Sequence, residues 1–189
     1  PIWCMIGYHS VSVLADAVAK GLPLDKEEVL KAMVSSSTIP YLDGTGEYME
    51  KGYVALDHNG SAASLTLEYA YDDWTIYHTA LLAGNRSVAD TYKKRAANYT
   101  NVFDTNMGYA RPRYADGRWK ENFNLLNTHG EGFIEGNALN YSFYVPQDVD
   151  NMIRLMGGDK SFVSKLDSLF TMHLPAEFFA QTEDVTEEG

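Results

Sequence analysis

Ser61-Ala-Ala-Ser-Leu-Thr-Leu-Glu-Tyr-Ala-Tyr-Asp-Asp-Trp-Thr-Ile-Tyr-His-Thr-Ala-Leu-Leu-Ala83 decides the fold class of this 189-residue chain. Leu65, Leu67, Glu68, Ala70, Tyr71, Trp74, Ile76, Tyr77, Ala80 and Leu81 cover most of the circumference of a helix built from it, so that helix is buried on more than one side. Asp72 and Asp73 are neighbours on it and point about 100° apart, too far round the axis for both to face one substrate atom. Structural roles follow for the pair, one orienting a loop by hydrogen bonds and the other solvated or paired with an arginine. Trp74 suits either core packing or stacking on a sugar face, and core is the more frequent use on so apolar a helix.

Outward from this segment the pattern is helix after helix. Val11 to Lys20 spaces Val11, Leu14, Ala15 and Val18 helically and stops at Gly21, as a left-handed cap would. Asp25, with Glu28 three residues on, opens a second helix whose buried stripe is Val29, Leu30 and Met33. Residues 37 to 59 hold Pro40, Gly44 and Gly46 and no sustained period, which predicts a long loop. Ser87 to Phe103 reads as an amphipathic helix with Val88, Tyr92, Ala96, Tyr99 and Phe103 on one face and Lys93, Lys94 and Arg95 toward water. Residues 104 to 129 lose the period and suggest a loop or short hairpin. Three short helices follow, near Asn137 to Tyr144, Val149 to Met156 and Lys160 to Phe170, with Gly157-Gly158 between the last two. Helices in consecutive pairs, one buried nearly all round and the next amphipathic, predict an all-α fold of the α/α toroid type, in which loops at one rim build the site.

Composition excludes more than it identifies. A net charge of -11 with fifteen scattered basic residues argues against a nucleic-acid partner. The longest apolar patches, near Ile6 to Leu14 and Thr79 to Ala83, fall short of the roughly 20 residues of a membrane span. Cys4 is the sole cysteine, so no intrachain disulfide forms and core packing is its expected role. Pro1 runs almost directly into an apolar periodic segment, the mark of a piece of a longer chain, and residues 1–189 are read as a single partial domain. The five histidines are too dispersed for a zinc motif and no acidic twelve-residue calcium loop occurs, so no metal ligand is assigned.

Chemistry concentrates in Glu131-Gly-Phe-Ile-Glu-Gly-Asn-Ala-Leu-Asn-Tyr-Ser-Phe-Tyr-Val-Pro-Gln-Asp148. Glu135 sits at a glycine-flanked loop end before an aromatic helix, where a buried surround would raise its pKa and Gly136 leaves room for a ligand. Its bland alternative is a carboxylate stabilised by a helix N-terminus, worth about 0.3–1 kcal/mol. The segment closely resembles the acid-bearing segment of the calcium-dependent exo-α-mannosidases of glycoside hydrolase family 92, through Glu135, Gly136, Asn137, Ala138, Tyr141, Ser142, Val145, Pro146 and Asp148. Leu139, Asn140 and Gln147 depart from it where Trp, Gln and His are frequent. Cys4 to Ala17, with Gly7-Tyr8-His9, resembles a second block of the family, and Leu67-Glu-Tyr-Ala-Tyr-Asp-Asp-Trp74 a third. Phe103-Asp104 followed by Gly108 and Arg111-Pro112 is a fourth and weaker one.

The resemblance implies a slice of an (α/α)6 barrel from a secreted or periplasmic enzyme that hydrolyses terminal α-mannosides, α-1,2-linked as in N-glycans, with inversion. Glu135 would be the general acid, and Tyr8, His9 and Asn137 would contact substrate. For His9 a purely structural role stands equally open. The Ca2+ ligands and the general base belong to family motifs that this stretch does not contain. An inverting site needs a second carboxylate roughly 6.5–9.5 Å from the acid, so the isolated chain is expected to be inactive, and exposed helix faces are expected to pair it into a dimer. The reading from another class is a noncatalytic helical module that binds carbohydrate or a protein.

Overall fold

The computed structural model describes residues 7–128 and 130–173. Among these the regular elements are helices apart from one small hairpin, as the hydrophobic periods predict, and residues 111–137 form an irregular stretch with one isolated bridge between Arg113 and Trp119. Gly7–Ser10 forms a 3-10 turn that leads into α1 (Val11–Ala19), followed by α2 (Lys26–Ser36), α3 (Thr45–Lys51), α4 (Ala62–Leu82) and α5 (Arg86–Arg95). A 3-10 turn at Asn98–Val102 delivers the chain to β1 (Phe103–Asp104), which pairs antiparallel with β2 (Tyr109–Ala110), Phe103 facing Ala110. The C-terminal part carries α6 (Ala138–Tyr141), α7 (Val149–Leu155) and α8 (Asp159–Thr171).

Local chemistry sets several of the ends. Gly21 takes φ 76° after α1, a conformation that costs residues with a Cβ about 1–2 kcal/mol. Asp25 caps α2 by accepting from the amides of Glu27 and Glu28 at 2.9 and 3.2 Å. Asn85 accepts from Val88 N to start α5.

Two sequence expectations need correction. The stretch from 37 to 59 is not one loop, because α3 interrupts it between Gly44 (φ 76°) and Gly52 (φ 78°). Seven residues give too little length for a periodic signal; what holds α3 is tertiary, the wholly buried Tyr48 donating its hydroxyl to Asp73 on α4. The helix expected over 87–103 ends at Arg95, and Arg95 turns inward to place its Nε 3.0 and 3.1 Å from the two oxygens of Asp73. An arginine beside two lysines reads as solvated until the buried carboxylate that claims it is known.

Helix α4 separates two hydrophobic clusters. Leu67 and Ala70 pack with Tyr99, Val102, Phe133 and Met152 on one side, and Leu65, Tyr69, Ile76 and Ala80 with Tyr8, Met33 and Tyr48 on the other. That is the all-round burial its composition predicts. Cys4 lies outside the described residues, and no helix among the described residues is long and apolar enough to cross a membrane.

Candidate active site

The N-terminal half of α4 is the platform on which the chemistry-bearing loops meet. Gly132 O accepts from Ala63 N at 2.9 Å and Ser64 N at 3.2 Å, occupying two of the amides that a helix start leaves free. Ser64 Oγ accepts in turn from Ile134 N at 3.1 Å. The segment carrying Glu135 is thus hydrogen-bonded to α4 on its N-terminal side. On the other side Asn137 and Asn140 form a reciprocal capping box at the start of α6, with Asn137 Oδ1 accepting from Leu139 N at 3.0 Å and Asn140 Oδ1 from Asn137 N at 2.8 Å. A Cβ at Gly136 would come within 2.8 Å of Asn140 Nδ2 and press on this capping box.

Between these anchors Glu135 adopts φ 50°, a left-handed conformation worth about 1–3 kcal/mol of strain in a residue other than glycine. Its side chain is exposed rather than enclosed in an apolar surround, which corrects the expectation of a buried acid. Beside it, burial pushes the phenol of Tyr141 up to about 12; a hydrogen bond with Ser64 opposes the rise, and the charges of Glu68 and Glu135 add to it. Tyr141 Oη donates to Glu68 Oε1 at 3.3 Å.

His9 connects the first block to this platform. Its Nδ1 is 2.7 Å from Asp72 Oδ2 and its Nε2 3.4 Å from Glu68 Oε2, so the imidazole is clamped between carboxylates one helical turn apart on α4. Burial works to lower the pKa of His9, but the hydrogen bond and charge of Asp72, with Glu68 and Asp43 behind it, prevail and raise it. Burial raises Glu68, opposed by His9 and Tyr141. The ring of His9 stacks on Tyr69 at 5.5 Å. His9 and Tyr8 help to line a cavity of about 240 Å³ beside α4. A larger groove, about 640 Å³, opens between α2 and the α4–α5 turn at the opposite end of α4, away from Glu135 and His9.

Asp73 has the structural role expected of the pair. It accepts from Tyr48 at 2.7 Å and from Tyr8, and it faces Arg95. Burial lifts its pKa to about 6, against the pull of Arg95 and both phenols, which leaves it ionised at neutral pH. Asp72 is not solvated either, being bound to His9. Trp74 is half-buried and stacks on Tyr71 at 5.9 Å.

The structure therefore brings Glu135, His9 and Asn137 to the N-terminal half of α4. The Tyr8 hydroxyl is taken by Asp73, and the Asn137 amide by the α6 cap and by Leu126 O at 3.2 Å. Sequence reasoning left Glu68 and Tyr141 without roles. A signal for Glu68 was present, since carboxylates four residues apart on one face of so apolar a helix need a partner, and His9 is that partner.

The catalytic-domain model of glycosyl hydrolase family 92 matches residues 1–188. The chain belongs to family 92. It is similar to a family 92 α-mannosidase of Bacteroides thetaiotaomicron, with 38% identity over 92% of this chain and 23% of that one and a TM-score of 0.86. The same mannosidase in complex with mannoimidazole superposes with a TM-score of 0.85. A family 92 inverting mannosidase of the same organism matches 98% of this chain and 26% of its own length, at 32% identity and a TM-score of 0.83. An uncharacterised secreted glycosidase of Arthroderma benhamiae is 26% identical over 86% of this chain and 26% of that protein. The chain thus spans about a quarter of the length of these relatives. Family 92 catalytic domains are α/α toroids, and paired helices around a buried α4 are a section of one.

Proposed function

We propose that the protein to which this chain belongs hydrolyses terminal α-mannosides with inversion, and that Glu135 is the general acid. The observation that carries this reading is the backbone of Glu135. A non-glycine residue is held at φ 50° with both flanks hydrogen-bonded and its side chain exposed, at a cost in stability. Proton delivery to a departing sugar oxygen gives such an acid a use. The mannosidase relatives supply the substrate class, and a terminal α-1,2-linked mannose of an N-glycan is the specific substrate proposed.

The second carboxylate of an inverting pair, which activates water, is assigned to a part of the protein outside this chain, as are the ligands of the calcium ion that the family resemblance implies. Among the described residues no three His, Cys, Asp or Glu side chains come together as a metal site. A secreted or periplasmic location is part of the proposal, supported by the fungal relative's description as secreted.

Proton NMR of the first sugar released by the full-length protein from an aryl α-mannoside tests the reading. β-Mannose is expected before mutarotation; α-mannose as first product would overturn inversion, and no release would overturn the activity.

A further inference from the structure

The loop that carries Glu135 is held from a second direction, by the irregular stretch before it. On the C-terminal flank Asn137 donates its side-chain amide to Leu126 O at 3.2 Å. On the N-terminal flank Glu131 is buried, 5% exposed, and its Oε2 meets Lys120 Nζ at 3.0 Å. Among the described residues no hydrogen-bond donor is aligned on Oε2, so its partner is the charge of the lysine rather than a directed bond. Oε1 accepts from Asn127 Nδ2 at 3.4 Å, a long contact. A carboxylate buried without a cation costs far more than the buried pair, so Glu131 is tied to wherever Lys120 stands.

Lys120 is itself fixed through its backbone. Its amide donates to Pro112 O at 3.0 Å, and its carbonyl accepts from Arg111 Nε at 2.9 Å and from Arg111 Nη2. Arg111 in turn donates from Nη1 to Oδ2 of the buried Asp104 on β1 at 2.9 Å. An unbroken run of polar contacts therefore leads from the hairpin to Glu131. One residue further on, Gly132 O takes the amides of Ala63 and Ser64 at the start of α4. Glu131 thus sets the point at which the chain passes from the hairpin side to the α4 side, four residues before the acid.

Stability alone gives no reason for charges here, because apolar residues of similar volume often replace a buried ion pair at no cost. What a buried pair adds is register, since a slipped loop would leave each charge buried and alone. A general acid needs that constraint. Its oxygen must stay within hydrogen-bond reach of the departing oxygen, and a displacement of about 1 Å can cost about 10²-fold in rate. We propose that Lys120 and Glu131 are positioning residues for the general acid, fixing the register of the loop from Glu131 to Asn137 and with it the place of the Glu135 carboxyl. This deepens the mannosidase reading and rests on Glu135 being its acid. Glu131, being buried, acts through Glu135.

The test uses the full-length protein with Glu131→Gln and Lys120→Met, each of which removes one charge at nearly constant length. Amide hydrogen exchange reads the loop, and the ratio of turnover on a mannose disaccharide to turnover on an activated aryl mannoside reads the acid. Both variants are expected to speed exchange at Ile134 and Asn137, whose amides bond to Ser64 Oγ and Asn140 Oδ1, and to lower the ratio about tenfold or more. A merely structural pair would lower both turnovers alike, so an unchanged ratio in a folded variant overturns the proposal where Glu135→Gln does lower it. If Glu135→Gln leaves the ratio unchanged, the acid reading fails and exchange alone decides: parental protection of Ile134 and Asn137 overturns the register role, and faster exchange upholds it. Should both charge variants unfold, Asn127→Ala at its exposed position loosens the same carboxylate, and an unchanged ratio there overturns the proposal.

Discussion

Tyr141 donates its phenol to Glu68 at 3.3 Å, across 73 positions of sequence, and ties the helix that follows Glu135 to the middle of α4. Through Glu68 the link continues to His9 and Asp72. The helix after the acid-bearing loop, the turn before α1 and the platform helix are thereby joined by one chain of side-chain contacts.

Glu135 is expected to separate chemistry from stability. In the full-length protein, Glu135→Gln should cut turnover of a mannose disaccharide by 10²-fold or more, at about the scale of general acid catalysis, while an aryl mannoside with a good leaving group loses much less. Glu135→Gly should likewise spare the aryl mannoside more than the disaccharide, yet leave the melting temperature equal or higher, because relief of the left-handed strain offsets the extra chain entropy of glycine. Equal losses on both substrates together with a lower melting temperature would show that Glu135 only holds the loop.

Asp73 is expected to be the costliest polar residue to remove from the described core. Asp73→Ala strands a buried guanidinium and two phenols, a loss of about 3–5 kcal/mol. Replacing Asp73 and Arg95 together by Leu and Met should cost less than the sum of Asp73→Leu and Arg95→Met made singly. Chemical denaturation of the four proteins in a double-mutant cycle measures the difference, and strict additivity would contradict the pairing.

Glycines with equal backbone needs should differ in cost. Gly132 has φ 83° and a Cβ there would lie 2.8 Å from Pro112 Cβ, whereas Gly21 has φ 76° with nothing within 4 Å. Gly21→Ala is expected to cost about 1 kcal/mol from the backbone alone. Gly132→Ala should cost more and lower activity, since Gly132 O anchors the acid loop to α4. Melting temperatures and turnover of the two variants give the comparison.

The raised pKa of His9 sets a direction for pH dependence. A base whose folded pKa exceeds its ordinary value of 6.5 contributes stability that is complete below 6.5 and is lost as pH rises through the folded value. Thermal melts of the full-length protein should therefore show stability declining over that rise, with a smaller decline in His9→Gln. An identical slope in the variant would remove His9 as the cause.

The isolated chain is expected to be inactive and to associate. Val163 is 54% exposed and Phe170 81% exposed on α8, and Leu81 and Leu82 are about half exposed at the end of α4. Burying several hundred Å² of such surface at about 25 cal/mol per Å² favours a dimer at high concentration even after association costs. The apolar Ile2 to Ile6 lead-in, expected from the sequence to join this contact, lies outside the described residues. Light scattering showing a monomer, or an aryl-mannoside turnover that depends on Glu135, would overturn the respective half of the expectation.

The sequence alone determined what depends on short-range pattern. The period of α4, the Asp25 cap and the Gly21 stop are written in residues one to four positions apart, because helical pitch and end geometry act over that distance. The glycines around Glu135 likewise marked a special backbone before its φ was known. Only the tertiary structure decided which side chains meet. Arg95 is indistinguishable in sequence from its lysine neighbours until Asp73 claims it from 22 residues away, and α3 exists because Tyr48 reaches the same carboxylate. Glu68 acquires its place from His9 and Tyr141, which lie 59 and 73 positions off in opposite directions. The burial that makes such polar contacts strong is a property of the packed domain, and no local window of sequence contains it.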